Sequence, residues 1–197
     1  CHIELVKRAR RGSARFLVSI FVNPAQFNDP KDLELYPRPI ANDLELLKEA
    51  GCDSVFLPIA DEIYSDGYKF SLSEKEMSEV LCGPKRPGHF AGMLTVVMKL
   101  LNLAHADRAY FGEKDFQQLK LIQEMAKTFF LATEIVGCAT VRESDGLAMS
   151  SRNALLTTDQ RALAPQLYRV LKNAPNMSEA SHELERLGFK VDYVEEH

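Results

Sequence analysis

What the chain lacks excludes several classes at once. No apolar run approaches the roughly 18 residues that a bilayer-crossing helix needs, and no secretory leader pattern is visible. Lys and Arg nowhere concentrate strongly, and the net charge is −4, which argues against a nucleic-acid-binding protein. The densest basic run, Lys7-Arg8-Ala9-Arg10-Arg11, ends a helical pattern, where cations complement the helix dipole. The four cysteines (Cys1, Cys52, Cys82 and Cys138) are widely spaced with no CxxC pair. That favours reduced thiols over a disulfide framework, so a cytoplasmic protein without membrane or nucleic-acid partners is expected. There is no internal repeat and no low-complexity tract.

What is present is enough for one sizeable core: 197 residues, 46% of them hydrophobic. Ile3, Leu5, Val6 and Ala9 recur at helical spacing, with Gly12 as the stop. Phe16 to Val22 is a nearly continuous apolar run ending at Asn23-Pro24, the signature of a strand buried on both faces. Asn42 to Ala50 predicts a helix, with Asn42 and Glu45 forming a capping box and Gly51 at its end. Strands are expected at Cys52–Leu57, Ala109–Phe111 and Glu134–Val141, and helices at Met93–Leu103, from Asp115, from Thr158 and at Ser178–Leu187. The stretch from Asp61 to Gly92 is less regular, and Gly83 to His89 reads as loop. Phe189 to Val194 alternates as a last strand. Cys1-His2 falls inside a helix pattern with no initiator Met, and the chain stops just after a strand-like segment, so further residues are expected on both sides.

Strands alternating with helices predict an α/β fold, a Rossmann-like doubly wound parallel sheet. The polar loops Asn23–Phe27, Gly112–Asp115 and Arg142–Asn153 each follow a predicted strand. Loops leaving the carboxyl ends of strands line the ligand crevice of such a sheet, so the three are expected to converge on one site. Their chemistry suits phosphate. Ser150 and Ser151 offer hydroxyls beside the guanidinium of Arg152, and Lys114 leads into a helix N-terminus. Each feature has a plainer alternative: a polar turn for Ser150–Arg152, and a surface charge cluster for Glu113-Lys114-Asp115. Gln26 offers an amide to a carboxylate or hydroxyl, or faces water. Of adjacent Gln117 and Gln118, only one can face the crevice squarely. His89, close to Arg86, caps a substrate pocket or is simply exposed.

Four segments together carry a resemblance: VSIFVNPAQF (18–27), RPGHF (86–90), FGEKDFQQ (111–118) and VRESDGLAMSSRN (141–153). In this order and spacing they closely resemble the pantoate–β-alanine ligase family, within the HxGH nucleotidyltransferases, over about residues 1 to 160. The resemblance implies that ATP, with Mg²⁺, adenylates the carboxylate of (R)-pantoate, and that the amine of β-alanine then displaces AMP to give pantothenate. It implies a catalytic domain over residues 1–157, with residues 158–197 forming a linking helix and the start of a smaller α+β domain, and a homodimer. Matching by position makes His2 the second His of HxGH, contacting ATP phosphates and assisting transfer. Gln26 and Gln118 become pantoate-binding, with Gln26 near the β-alanine site. Gly112, Glu113, Lys114 and Asp115 become an ATP-binding turn, Lys114 stabilising phosphate charge, and Val141 lines the adenine site. Met149, Ser150, Ser151 and Arg152 match the phosphate-binding loop, with Ser151 and Arg152 assigned to catalysis and no residue assigned to the metal. Cys1 stands where the family has the glycine of HxGH.

Two other readings remain at this point. Another HxGH nucleotidyltransferase would share the phosphate loops without Gln26 and Gln118 at these spacings. A nucleotide-binding protein without turnover would fit the altered HxGH motif.

Overall fold

The computed structural model describes residues 2–196, with nothing taken from the side chain of His2. It divides into two compact units, His2–Ala139 and Thr140–His197, each considered by itself.

In the first unit, helix α1 (His2–Gly12) buries Val6 and Ala9 against Phe16 and Leu47, with Ile3, Val18, Val55 and Tyr110 closing the cluster. The apolar run after it forms β1 (Leu17–Ser19), parallel to β2 (Ser54–Phe56), with Val18 opposite Val55. Both strands are shorter than the apolar runs that carry them. One further bond, Ile20 N–H to Phe56 O at 2.9 Å, ends the ladder. Pro58 brings no N–H with which to continue it. Helix α2 (Pro30–Leu35) starts at a side-chain cap from Asp29, and α3 (Ile40–Glu49) crosses between the strands.

The expected capping box at Asn42 and Glu45 does not form. Helix α3 begins earlier, with Pro39 at its cap, and Asn42 lies inside the first turn. Gly51 does end it, at φ +74°, with Gly51 N–H on Lys48 O and Cys52 N–H on Leu47 O closing a Schellman motif.

Helix α4 (Ala60–Ile63) and single turns at Met77–Glu79 and Gly83–Lys85 organise the irregular middle. Helix α5 (His89–Ala104) starts earlier than its apolar pattern suggests, and His89 is its first residue. Strand β3 (Arg108–Gly112), helix α6 (Phe116–Thr128) and strand β4 (Glu134–Cys138) complete a βαβ crossover, with β3 and β4 parallel and in register from Arg108–Glu134 to Gly112–Cys138. Met93 and Leu94 of α5 and Leu121 and Ile122 of α6 are at most 1% exposed and centre the main core. Burying each such side chain contributes about 1.5–3 kcal/mol. Parallel strands joined by helices are thus as expected, with the ladder bonds falling into two pairs, β1–β2 and β3–β4.

In the second unit a hairpin over residues 141–149 precedes α7 (Thr158–Leu163), α8 (Pro165–Asn173) and α9 (Met177–Arg186). The cap of α7 is Thr157, one residue before the expected Thr158, and Gln160 completes its capping box. Pro165, which lacks an N–H, separates α7 from α8 where one helix was expected. Phe189–Val194 is not a strand. Phe189, Val191 and Val194 pack instead against Val170, Ala180 and Leu184. No strand among the described residues pairs with this segment, and apolar alternation without a ladder partner yields only an extended chain.

Candidate ligand site

The turn after β1 is built around a buried amide. Asn23 is 2% exposed and heads a single helical turn, Pro24–Gln26. Its Oδ1 accepts from the Tyr64 hydroxyl at 2.6 Å and from Ala25 N–H at 3.3 Å. Its Nδ2 donates to Gly92 O at 3.1 Å and to Gln26 Oε1 at 3.2 Å. All the hydrogen-bonding capacity of the amide is used. A Cβ on Gly92 would stand 2.2 Å from Ala25 O, so α5 meets this turn through a glycine by necessity. His89 is 5% exposed, and its Nδ1 lies 2.7 Å from Gln26 O. The ring, read from the sequence as a pocket cap or an exposed loop histidine, is not exposed: it is buried and braces the Gln26 carbonyl.

At the start of α6 the two glutamines divide their work. Gln117 is 7% exposed; its Nε2 donates to Met77 O at 2.6 Å and Val80 O at 2.8 Å, and its Oε1 lies 3.3 Å from Cys82 N. It clamps the 77–82 segment. Gln118 is half-buried and takes part in none of these bonds. The same segment is shaped by Glu74. Although burial opposes its charge, N–H donors from Ser78, Glu76 and Met77 hold its carboxyl below the ordinary range.

Gly112 ends β3, and Glu113–Asp115 make one turn before α6. Lys114 Nζ sits 3.5 Å from Asp115 Oδ1, both side chains well exposed. Such a pair is weak and leaves the ammonium available to a stronger anion.

In the second unit, the hairpin pairs Arg142 with Ala148, and Met149 N–H donates to Val141 O at 3.0 Å. Its tip closes through Gly146 at φ +93°, the left-handed residue of a three-residue loop. Arg161 of α7 grips Asp145 at 2.6 Å, and this partner holds the Asp145 carboxyl below its usual range. Arg142 stacks over the Tyr168 ring at 3.5 Å and donates to Gly146 O. Ser150 accepts from Arg152 N–H at 3.2 Å, and Asn153 Nδ2 holds Ala148 O at 3.0 Å, while Ser151 and Arg152 are exposed. The Ser150–Arg152 segment is thus fixed at its root, with Ser150 capping a short helical turn over Ser151–Leu155.

Gln26, Lys114 and Gln118 belong to one unit, and Val141 and Met149–Arg152 to the other. Cys1 and the side chain of His2 lie outside the described residues. The sequence reading missed Asn23 as a hub, Tyr64 as its partner, Gln117 as a clamp and Arg161 as the hairpin's anchor. Gly92 stands just before the apolar pattern of α5, so the pattern itself did not mark the close backbone approach that a glycine permits there. Tyr64 left no periodic trace.

The family model for pantoate-beta-alanine ligase matches residues 1–196. The chain belongs to this family. It is 50% identical over 193 residues to the pantothenate synthetase of Bdellovibrio bacteriovorus, covering 98% of this chain and 77% of that protein. The pantothenate synthetase of Legionella pneumophila (strain Corby) is 47% identical over 195 residues, covering 99% and 77%. Among solved structures, pantothenate synthetase from Thermus thermophilus superposes with a TM-score of 0.93 at 40% identity, over 98% of this chain and 74% of that one. Pantoate-beta-alanine ligase from Francisella tularensis, complexed with beta-gamma ATP and beta-alanine, gives 0.94 at 40% identity, over 100% and 76%.

Proposed function

We propose that the chain condenses (R)-pantoate with β-alanine at the expense of ATP, giving pantothenate, AMP and pyrophosphate. The carrying observation is the match of residues 1–196 to one ligase family, with a relative solved in complex with beta-gamma ATP and beta-alanine. A pantoate carboxylate oxygen attacks the α-phosphorus of ATP, the bond to the bridging oxygen breaks, and pyrophosphate leaves. The β-alanine amine then attacks the acyl carbon of the pantoyl adenylate, AMP departs, and the amine loses a proton. Both steps join anions or displace them, so positioning and charge compensation carry the catalysis.

In this reading Gln26 and Gln118 hold pantoate, with Gln26 near the β-alanine amine. With Gln26 Oε1 engaged by Asn23, its Nε2 is left to donate to an acid or hydroxyl. Lys114 offsets phosphate charge, helped by Gly112, Glu113 and Asp115 as the ATP-binding turn. Val141 lines the adenine, Met149, Ser150, Ser151 and Arg152 bind the phosphates, and His2 assists transfer. The catalytic domain runs over residues 1–157, taking in the hairpin and the Ser150–Arg152 loop, and residues 158–197 begin the second domain. The protein works in the cytoplasm as a homodimer. No helix among the described residues is long and apolar enough to cross a membrane.

No group of three or more His, Cys, Asp or Glu among the described residues could hold a metal ion. These residues do not fit a resident Mg²⁺ cage; the ion would come with the nucleotide, whose phosphates and water would supply its ligands.

The test is AMP formation by the full-length protein. Dependence on both pantoate and β-alanine is expected. ATP binding with no pantoate-dependent turnover would leave only nucleotide binding, and turnover on a different acceptor would favour another nucleotidyltransferase.

A further inference from the structure

Tyr64 is 4% exposed and lies just beyond the end of α4, far in sequence from any segment that resembles the family's motifs. Its hydroxyl makes the shortest bond to the Asn23 amide, at 2.6 Å. The backbone fixes the polarity of that amide. Ala25 N–H can only donate and Gly92 C=O can only accept, so Oδ1 faces Ala25 and Nδ2 faces Gly92. The Tyr64 hydroxyl must then be a donor to Oδ1. By the same logic Nδ2 donates to Gln26 Oε1, which turns the Gln26 Nε2 donors away from the hub.

We infer that Tyr64 is a positioning residue for the acid substrate: through Asn23 it holds Gln26 in the one amide orientation that presents N–H donors to a carboxylate or hydroxyl. This rests on the assignment of Gln26 to pantoate. The surroundings of Tyr64 are built to keep the hydroxyl in place. Its ring stacks on Tyr68 with centroids 4.2 Å apart, and Lys99 Nζ stands 4.6 Å from the ring centroid. That ammonium also donates to Ile63 O at 2.7 Å and pairs with Asp66 at 3.2 Å, tying the chain around Tyr64 to α5. Burial pushes the phenol up to about 12, so it stays protonated and stays a donor. Without the hydroxyl, Oδ1 keeps only the longer bond from Ala25, and Asn23 and Gln26 slacken together.

The experiment is steady-state kinetics of the full-length enzyme for wild type, Tyr64→Phe, Gln26→Ala and the double variant, with thermal melting of each. Phenylalanine keeps the ring that stacks on Tyr68, so a folded variant is expected. Tyr64→Phe should raise the KM for pantoate about tenfold and leave the KM for ATP within about twofold. In the Gln26→Ala background it should add nothing to the pantoate KM, because the residue it positions is gone. An unchanged pantoate KM, equal changes for pantoate and ATP, or full additivity with Gln26→Ala would overturn the inference and leave Tyr64 a packing residue. If Gln26→Ala itself left the pantoate KM unchanged, the assignment of Gln26 would fall first, and this inference with it.

Discussion

Lys114 and Gln118 separate folding from chemistry at the scale of one side chain. Lys114 is exposed and pairs with Asp115 at 3.5 Å, so removing it costs little packing. Lys114→Ala should slow pantoate adenylation by about 100-fold or more while shifting the melting temperature by no more than about 2 °C. Similar adenylation rates in folded variant and wild type would refute its role. Gln118→Ala should raise the KM for pantoate about tenfold and leave ATP binding nearly intact, read by titration of each ligand. Equal losses for both ligands would remove it from the acid site. Its neighbour shows what residue type alone could not decide. The sequence restricted the crevice to one of Gln117 and Gln118, but burial of Gln117 against Met77, Val80 and Cys82 needed the fold, since those partners sit on a segment with no periodicity.

At the scale of elements, local chemistry was readable where it acts within a few residues, as at Gly51, and unreadable where distant backbone sets the outcome. Pro39, not Asn42, starts α3, because nothing in Ile40 or Ala41 opposes the helix. The final alternating segment found helices to pack on in place of a strand partner. The end of α6 offers a direct check. Phe130 occupies the left-handed position of a Schellman motif at φ +54°, with its N–H on Lys127 O, Leu131 N–H on Ala126 O, and 93% of its surface exposed. A bulky residue is strained there, so Phe130→Gly should stabilise the fold by about 0.5–1 kcal/mol, a rise in melting temperature of about 2 °C. A fall would show that the ring makes a contact worth more than the strain. Glu74 tests the 74–78 turn through pH. Its folded pKa is lowered below the ordinary value near 4.5, so its contribution is present above that range and lost as pH falls through the folded value. Glu74→Gln should therefore melt lower than wild type at neutral pH, by about 1 kcal/mol, with the difference narrowing as pH drops from about 6 toward about 3. A difference independent of pH would assign the loss to shape alone.

Across the whole molecule, parallel strands joined by helices were legible from apolar runs such as Phe16–Val22 and from the helical spacing of Met93, Val96, Val97 and Leu100. The candidate site was legible as a set of polar loops, whereas the frame that holds the first of them, the Asn23–Gln26 turn, was not. Asn23, Tyr64, His89 and Gly92 meet through contacts that no local pattern encodes. The proposed function turns on one step, the activation of an acid by adenylation ahead of attack by the amine. Exchange of labelled pyrophosphate into ATP, in the absence of β-alanine, reads that step alone. Exchange that requires pantoate, and vanishes when pantoate is withheld, is expected. No exchange with pantoate present, or exchange that proceeds equally without it, would show that the acid is not activated in this way.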